Sequence, residues 1–493
     1  MAGVTFDEVV DALARAHYEL ETEGRLVRAG AKKELESAPI VARWAWLYSP
    51  ESLAATEGPG EERLRVRHAL QQGLIERRTA EMNDRLETAF AKASLAVGDE
   101  LIPFYSAQAQ MSRASEASRR EALGEAVGEF EATQAGGLTE LTRLTLDVIR
   151  ELGHPDYTGF WAEQKQIDYP ALRREVAKVA DAASDLYRAW VEPRMSRFGR
   201  RFGTCPGWHL SYIRGLPEHD QIFTVEAFLP AMRRTMERLG LPLFSAPTIH
   251  LDLADRPAKN PRASVWVPDA GREVHLLTRP SGGNADYSAC LHEAGHALHF
   301  GLSDPGLGWP LVNLGRSMAY PELWSYLMER VGHDPAWISE ATGVSAAAAE
   351  RVSADLTGMD LMVFSRYVGK LEYELDLYAS DPLDSARGPE IYRQRLSQRS
   401  GFAYDPRQWQ FDRDPGLYSA DYLRAWLAEA ALEERLEATF GEHWWSHPES
   451  GDWLRNQWRL GWKPEAEEVV EQMGGVPGSG AALLRRFAAR LAA

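Results

Sequence analysis

Residues 284–299 read Asn284-Ala285-Asp286-Tyr287-Ser288-Ala289-Cys290-Leu291-His292-Glu293-Ala294-Gly295-His296-Ala297-Leu298-His299. No proline interrupts the run, and alanine, leucine and glutamate favour a helix. On that helix His292 and His296 stand at i and i+4, so both imidazoles leave one face a turn apart. The spacing suits two of the three protein ligands of a tetrahedral zinc. Glu293 points beside such an ion, where it can take a proton from an activated water. Cys290 points away from that face. His299 lies about 10.5 Å along the axis from His292, too far to share the same ion, and reads as a packed histidine.

A third ligand is needed, and the chain offers a carboxylate on a second helix. After a Gly- and Pro-rich loop, residues 303–317, a helix is expected to begin at Pro321-Glu322, with proline at a first helical position and an acid beside it. Glu322 and Glu329 are two turns apart on one face. Glu322 can reach the metal, and Glu329 can sit behind it.

Upstream, residues 250–279 contain Pro257, Pro261 and Pro268 and break the helical pattern. Val265-Trp266-Val267 and residues 273–278 read as short strands joined by a turn at Asp269-Ala270-Gly271. Residues 281–284 form a loop, and Asn284 or Asp286 is expected to cap the next helix. Elsewhere apolar residues recur at helical spacing over 5–28, 60–97, 111–153, 169–200, 224–239, 341–379 and 420–439. A further loop is expected at 411–416. The fold class is mainly α: two helical lobes, a small embedded β-sheet beside the His292–His296 helix, and the site in a cleft between the lobes. The division expected is an N-terminal helical lobe, 1–165, and a catalytic region, 166–493.

The chain has 493 residues, with 55 Lys+Arg against 72 Asp+Glu and a formal net charge of −17. That balance argues against nucleic acid as a partner, since a phosphate-tracking surface needs excess cations. Two cysteines, Cys205 and Cys290, make no disulfide framework and fit a reducing compartment. No basic-then-apolar leader and no 18-residue apolar stretch is visible. The expectation is a cytoplasmic protein with no membrane partner and an unassigned oligomeric state. His209, His219, His250 and His275 carry no ligand spacing, and residues 442–447 (EHWWSH) read as a packed turn.

The segments HEAGHALH (292–299) and ELWSYLME (322–329) together resemble the M3 family of zinc oligopeptidases, the thimet oligopeptidase and oligoendopeptidase F group. That family typically carries HEFGHALH and, about thirty residues later, Glu-x-x-Ser-x-x-x-Glu. The resemblance implies one Zn²⁺ held by His292, His296 and Glu322, with Glu293 as general base. Asp252-Leu253, Arg256, Lys259 and Arg262-Ala263 look like the segment leading into the family's substrate-facing strand, which would make 273–278 an edge strand pairing with peptide backbone. Gly416-Leu417-Tyr418-Ser419-Ala420-Asp421-Tyr422 resembles the family's Gly-Tyr-x-Ala-x-Tyr loop, implying that Tyr418 and Tyr422 bind substrate and stabilise the oxyanion. Short peptides are the implied substrates. Two positions depart: Arg413 stands where the family has His, and Ala425 where it has a further Tyr. M32 carboxypeptidases are the nearest alternative, although Pro321 stands where they have His and their His-Pro-Phe segment is absent. A carboxypeptidase would need a cation for the substrate's C-terminus, and Arg413 or Arg366 could supply one. The departures also leave room for a specialised non-peptidase or peptide-binding protein that keeps the zinc site.

Overall fold

A computed structural model describes residues 3–256, 259–260 and 262–492. Pro257 and Pro261 lie outside the described residues. The chain's elements include α1 (Phe6–Arg28), α2 (Glu61–Lys92), β1 (Ser94–Val97), β2 (Glu100–Pro103), α3 (Ala117–Glu151), α4 (Tyr169–Ala182), α5 (Ser184–Ser196) and α6 (Val225–Leu239). They continue with β3 (Ile249–Asp252), β4 (Ser264–Asp269), β5 (Glu273–Leu277), α7 (Asn284–Gly301), α8 (Ala319–Val331), α9 (Ala346–Tyr378) and α10 (Tyr418–Phe440). The chain is mainly helical with small sheets. No described helix is long and apolar enough to cross a membrane.

The chain divides into two compact units, each discontinuous in sequence. One comprises Met1–Arg77, Asp220–Ala349 and Ala425–Ser479; the other comprises Arg78–His219, Glu350–Arg424 and Gly480–Ala493. A boundary at 165/166 therefore falls inside the second unit. Just before it, Asp156 Oδ1 accepts from Gly159 N at 2.7 Å and caps the helix Tyr157–Lys165.

In the first unit α1 shows how local pattern becomes packing. Thr5 and Glu8 form a reciprocal cap at its start. Val9, Ala12, Leu13 and Ala16 then form the buried stripe that meets Leu47, Val66 and Leu70. In the second unit, residues 94–97 end the expected 60–97 helix early. They pair antiparallel with 100–103 around Gly98-Asp99, burying Leu95, Val97 and Ile102 with Phe90, Phe104 and Leu123. The expected 169–200 helix is two helices, broken at Ala183.

The sheet beside α7 has the order β3-β5-β4. β3 runs parallel to β5 and β4 runs antiparallel to it. The strand at 273–278 is thus central, not an edge, because residues 249–252 form a strand that the sequence reading omitted. Its inward residues Val274 and Leu276 are buried. The edges are β3 and β4. On β4, Val267 N donates to Glu21 Oε2 at 3.0 Å, and Val267 O lies 2.9 Å from His17 Nε2. Side chains of α1 thus occupy the middle of that edge.

Candidate metal centre

α7 begins after a loop that two carboxylates hold. Asp286 Oδ2 accepts from Ser281 N at 2.6 Å and Gly282 N at 3.0 Å. Asn284 N donates to Asp220 Oδ1 at 3.3 Å. The N-cap is Gly283 with φ 89°, a conformation glycine tolerates at no steric cost. Neither Asn284 nor Asp286 caps the helix as expected; Asp220, from a distant segment, receives the amide instead.

α8 starts at Ala319, two residues before the expected start, with Pro321 in its first turn. Its register against α7 is fixed by Gly295. A Cβ built at Gly295 would stand 2.4 Å from Trp324 O and 2.6 Å from Ser325 Cα. The two backbones approach as closely as a missing side chain allows. That contact brings Glu322 across from the two histidines.

His292 Nε2 lies 3.2 Å from Glu322 Oε2, and His296 Nε2 lies 3.6 Å from the same oxygen. One ligand atom from each residue falls within 4.8 Å of the others. His292 Nδ1 lies 3.0 Å from Glu329 Oε2, so an Nδ1–H donates to that carboxylate and Nε2 is the nitrogen turned toward Glu322. Ser325 Oγ donates to Glu322 Oε2 at 3.0 Å and holds the carboxylate in place. Burial opposes charge on His292, but hydrogen bonds to Glu322 and Glu329 outweigh it and lift its pKa well above the ordinary range. The two carboxylates thus call for a positive charge between them. His296 is 9% exposed, and burial pushes its pKa down. Its Nδ1 is buried without a hydrogen-bond partner. Two imidazole nitrogens and one carboxylate oxygen form a donor set that fits a four-coordinate divalent cation with one position open.

Glu293 is half-buried and makes no hydrogen bond or ion pair among the described residues. His299 is fully buried, with Nε2 3.0 Å from Gly461 O and its ring against Phe300 and Tyr320. Cys290 Sγ meets Thr278 Oγ1 at 3.1 Å, off the histidine face. Sequence reading missed Tyr326 and Trp426. Tyr326 packs edge-on against His292 at 5.1 Å between centroids, and Trp426 packs against Tyr326. The signal for Tyr326 was its position four residues past Glu322, on the same helix face.

Tyr418 and Tyr422 belong to the second unit, whereas His292, His296 and Glu322 belong to the first. The two tyrosine rings stand 4.6 Å apart on the first turns of α10, both half-buried, and Tyr422 packs edge-on against Tyr367. The turn before them is held tightly. Gly416 N donates to Tyr157 Oη at 2.8 Å. Glu374 accepts from Asp414 N at 2.6 Å and from Ser419 Oγ at 2.5 Å. Leu417 has φ 54°, a strained value for a residue with a side chain. Arg366 donates to both oxygens of Asp412, at 2.6 and 2.7 Å. Arg413 donates to Thr142 Oγ1 at 2.6 Å and Gln410 Oε1 at 2.7 Å. Both cations therefore have protein partners. In the 442–447 segment Trp444 and Trp445 are buried in one 3₁₀ turn.

No protein-family model and no curated protein matches the sequence. Among solved structures 106 chains match. One, described as "a putative oligoendopeptidase F from Bacillus anthracis str. Ames", superposes with a TM-score of 0.59 at 15% sequence identity. The match covers 97% of this chain and 83% of that one. At this identity the likeness establishes the fold alone: a mainly helical architecture with small sheets, similar to that of the structure so described.

Proposed function

We propose that this protein is a zinc-dependent peptidase that hydrolyses short peptides. The observation that carries the reading is the convergence of His292, His296 and Glu322 beside Glu293, whose carboxylate has no side-chain partner among the described residues. A zinc ion held there would act as a Lewis acid, polarising the scissile carbonyl and making a water acidic. Glu293 accepts a proton from the attacking water and returns it to the leaving amine. Glu329 fixes the tautomer and tilt of His292, and Ser325 fixes the Glu322 oxygen. Tyr418, with Tyr422, donates a phenol hydrogen bond to the oxyanion, a role taken from the family resemblance. The acidic composition and two buried cysteines support work in the cytoplasm, on peptides and not on nucleic acid or membranes.

The test is mass spectrometry of a mixed-length peptide library incubated with the zinc-loaded protein, with Glu293→Gln as the paired control. Internal cuts that vanish in the variant uphold an oligoendopeptidase. Trimming of single residues from the C-terminus moves the assignment to a carboxypeptidase. No cleavage with zinc bound removes the general peptidase reading and leaves a specialised or binding role.

A further inference from the structure

The arginines around the start of β4 do not share one fate. Arg256 is paired with Asp252, and Arg279 with Asp255. Lys259 is buried and donates to Asp252 O at 2.6 Å and Thr278 O at 2.8 Å. Arg28, in the last turn of α1, has no carboxylate partner among the described residues. Its Nη2 makes one long contact, 3.4 Å to Arg262 O, and its Nε is buried with no partner. The backbone there is held on both sides: Asn260 N donates to Arg28 O at 3.0 Å, and Arg256 Nε donates to Ala29 O at 3.0 Å. A half-buried guanidinium on a fixed backbone has lost water and gained little in return.

Its place gives the reason. α1 packs along β4. Gly24 lies against the Trp266 ring, which leaves Arg28 at the strand's N-terminal end beside Arg262. At that end Ser264 pairs with Leu277, and the next residue, Thr278, contacts Cys290, one helical turn before Glu293. Burial works against charge on Arg28, as does Arg262, while the Glu293 carboxylate acts in its favour. Through the Ser264–Leu277 pair and the Thr278–Cys290 contact, Arg28 stands at the end of the sheet that abuts the turn of α7 leading to Glu293. In a chain of net charge −17, a cation there makes a local attraction for anions that the rest of the protein repels.

We propose that Arg28 is a substrate anchor that receives a carboxylate of the peptide, so that acidic short peptides are the preferred substrates. Its planar fork suits a carboxylate bidentately, which a lysine cannot match. The carboxylate can be the free C-terminus or an Asp or Glu side chain. The proposal rests on the peptidase reading above.

The test uses three pentapeptides of one sequence: a free acid with an internal Glu, the same peptide as its C-terminal amide, and the free acid with Gln for Glu. kcat and KM are measured for the zinc-loaded wild type, Arg28→Gln and Arg28→Lys. One neutralisation is expected to lower wild-type kcat/KM about tenfold or more, and which one does so identifies the carboxylate. Arg28→Gln abolishes that preference, and Arg28→Lys weakens it. Equal wild-type kcat/KM on all three peptides, or a preference that survives Arg28→Gln, overturns the proposal. If Arg28→Gln does not fold, Arg28→Lys decides: an unchanged preference overturns it. If no peptide is cut, the peptidase reading fails separately, and fluorescence anisotropy with the same labelled peptides decides. Acid-selective binding lost in Arg28→Gln upholds the anchor, and equal binding overturns it.

Discussion

Gly295→Ala tests what fixes the helix pairing at the metal centre. On a helix with room beside it, the exchange stabilises by about 1 kcal/mol, because alanine is the better helix former. Here the new Cβ would stand 2.4 Å from Trp324 O, 2.6 Å from Ser325 Cα and 2.8 Å from Trp324 C. Unstrained contact between such atoms begins near about 3.5 Å, so α7 and α8 must part by roughly 1 Å. The obstacles are helix backbone and cannot rotate away as a side chain could. Overpacking of this kind costs about 1–3 kcal/mol. With three backbone atoms hit, the upper half of that range applies, and a net loss of about 1–2 kcal/mol is expected after the helix-propensity gain. The same separation carries Glu322 away from His292 and His296, now 3.2 and 3.6 Å distant. Zinc affinity should fall about tenfold or more. Urea unfolding of the metal-free protein reads the first effect, and competition with a chelating dye reads the second. A variant more stable than the wild type, with unchanged zinc affinity, would show slack between the helices and refute the account.

Glu329→Ala leaves His292 Nδ1 without its carboxylate and should weaken zinc binding about 10- to 100-fold, read by the same dye competition; unchanged affinity would remove Glu329 from the site. Tyr418→Phe should lower kcat about 100-fold or more with little change in KM if the phenol meets the oxyanion; steady-state kinetics on a cleaved library peptide decide it. His299 gives a pH signature. Burial holds its pKa down at about 3 against an ordinary 6.5, so as pH falls the unfolded chain takes up the proton first. Its contribution is complete above 6.5 and declines by about 1.4 kcal/mol per unit below it, or about 2 kcal/mol at pH 5. Unfolding free energies at pH 7 and pH 5 should therefore differ less in His299→Gln than in the wild type, and an equal difference would refute the burial argument.

Local chemistry made part of the site legible. His292, Glu293 and His296 are placed relative to one another by a single helical turn, so the common face of the two histidines, with Glu293 to one side of it, follows from spacing alone. The long helices were equally plain where an apolar stripe repeats, as at Val9, Ala12, Leu13 and Ala16. The turn between β4 and β5 was visible in Asp269-Ala270-Gly271, where Gly271 takes a positive φ. Glu322 came into view through the helix start at Pro321 and the need for a third ligand, with the family resemblance in agreement, because thirty residues and a loop separate it from His292.

Contacts between distant segments left no local mark. β3 pairs in parallel with β5 across more than twenty residues, and no turn signal announces a parallel partner; omitting it made the central strand look like an edge. The unit boundary failed for a related reason. The chain leaves and re-enters each unit, so residues 1–77 pack with segments that begin at 220 and 425, and composition along the chain cannot show this. Asp220 at the start of α7 and Arg28 beside β4 are likewise products of folding. The sequence by itself determined that two histidines share a helix face with a glutamate beside it, because that geometry is intrinsic to the helix. Only the tertiary structure decided which carboxylate faces them and how closely α8 approaches, because those depend on backbone contacts such as Gly295 against Trp324 that no periodicity encodes.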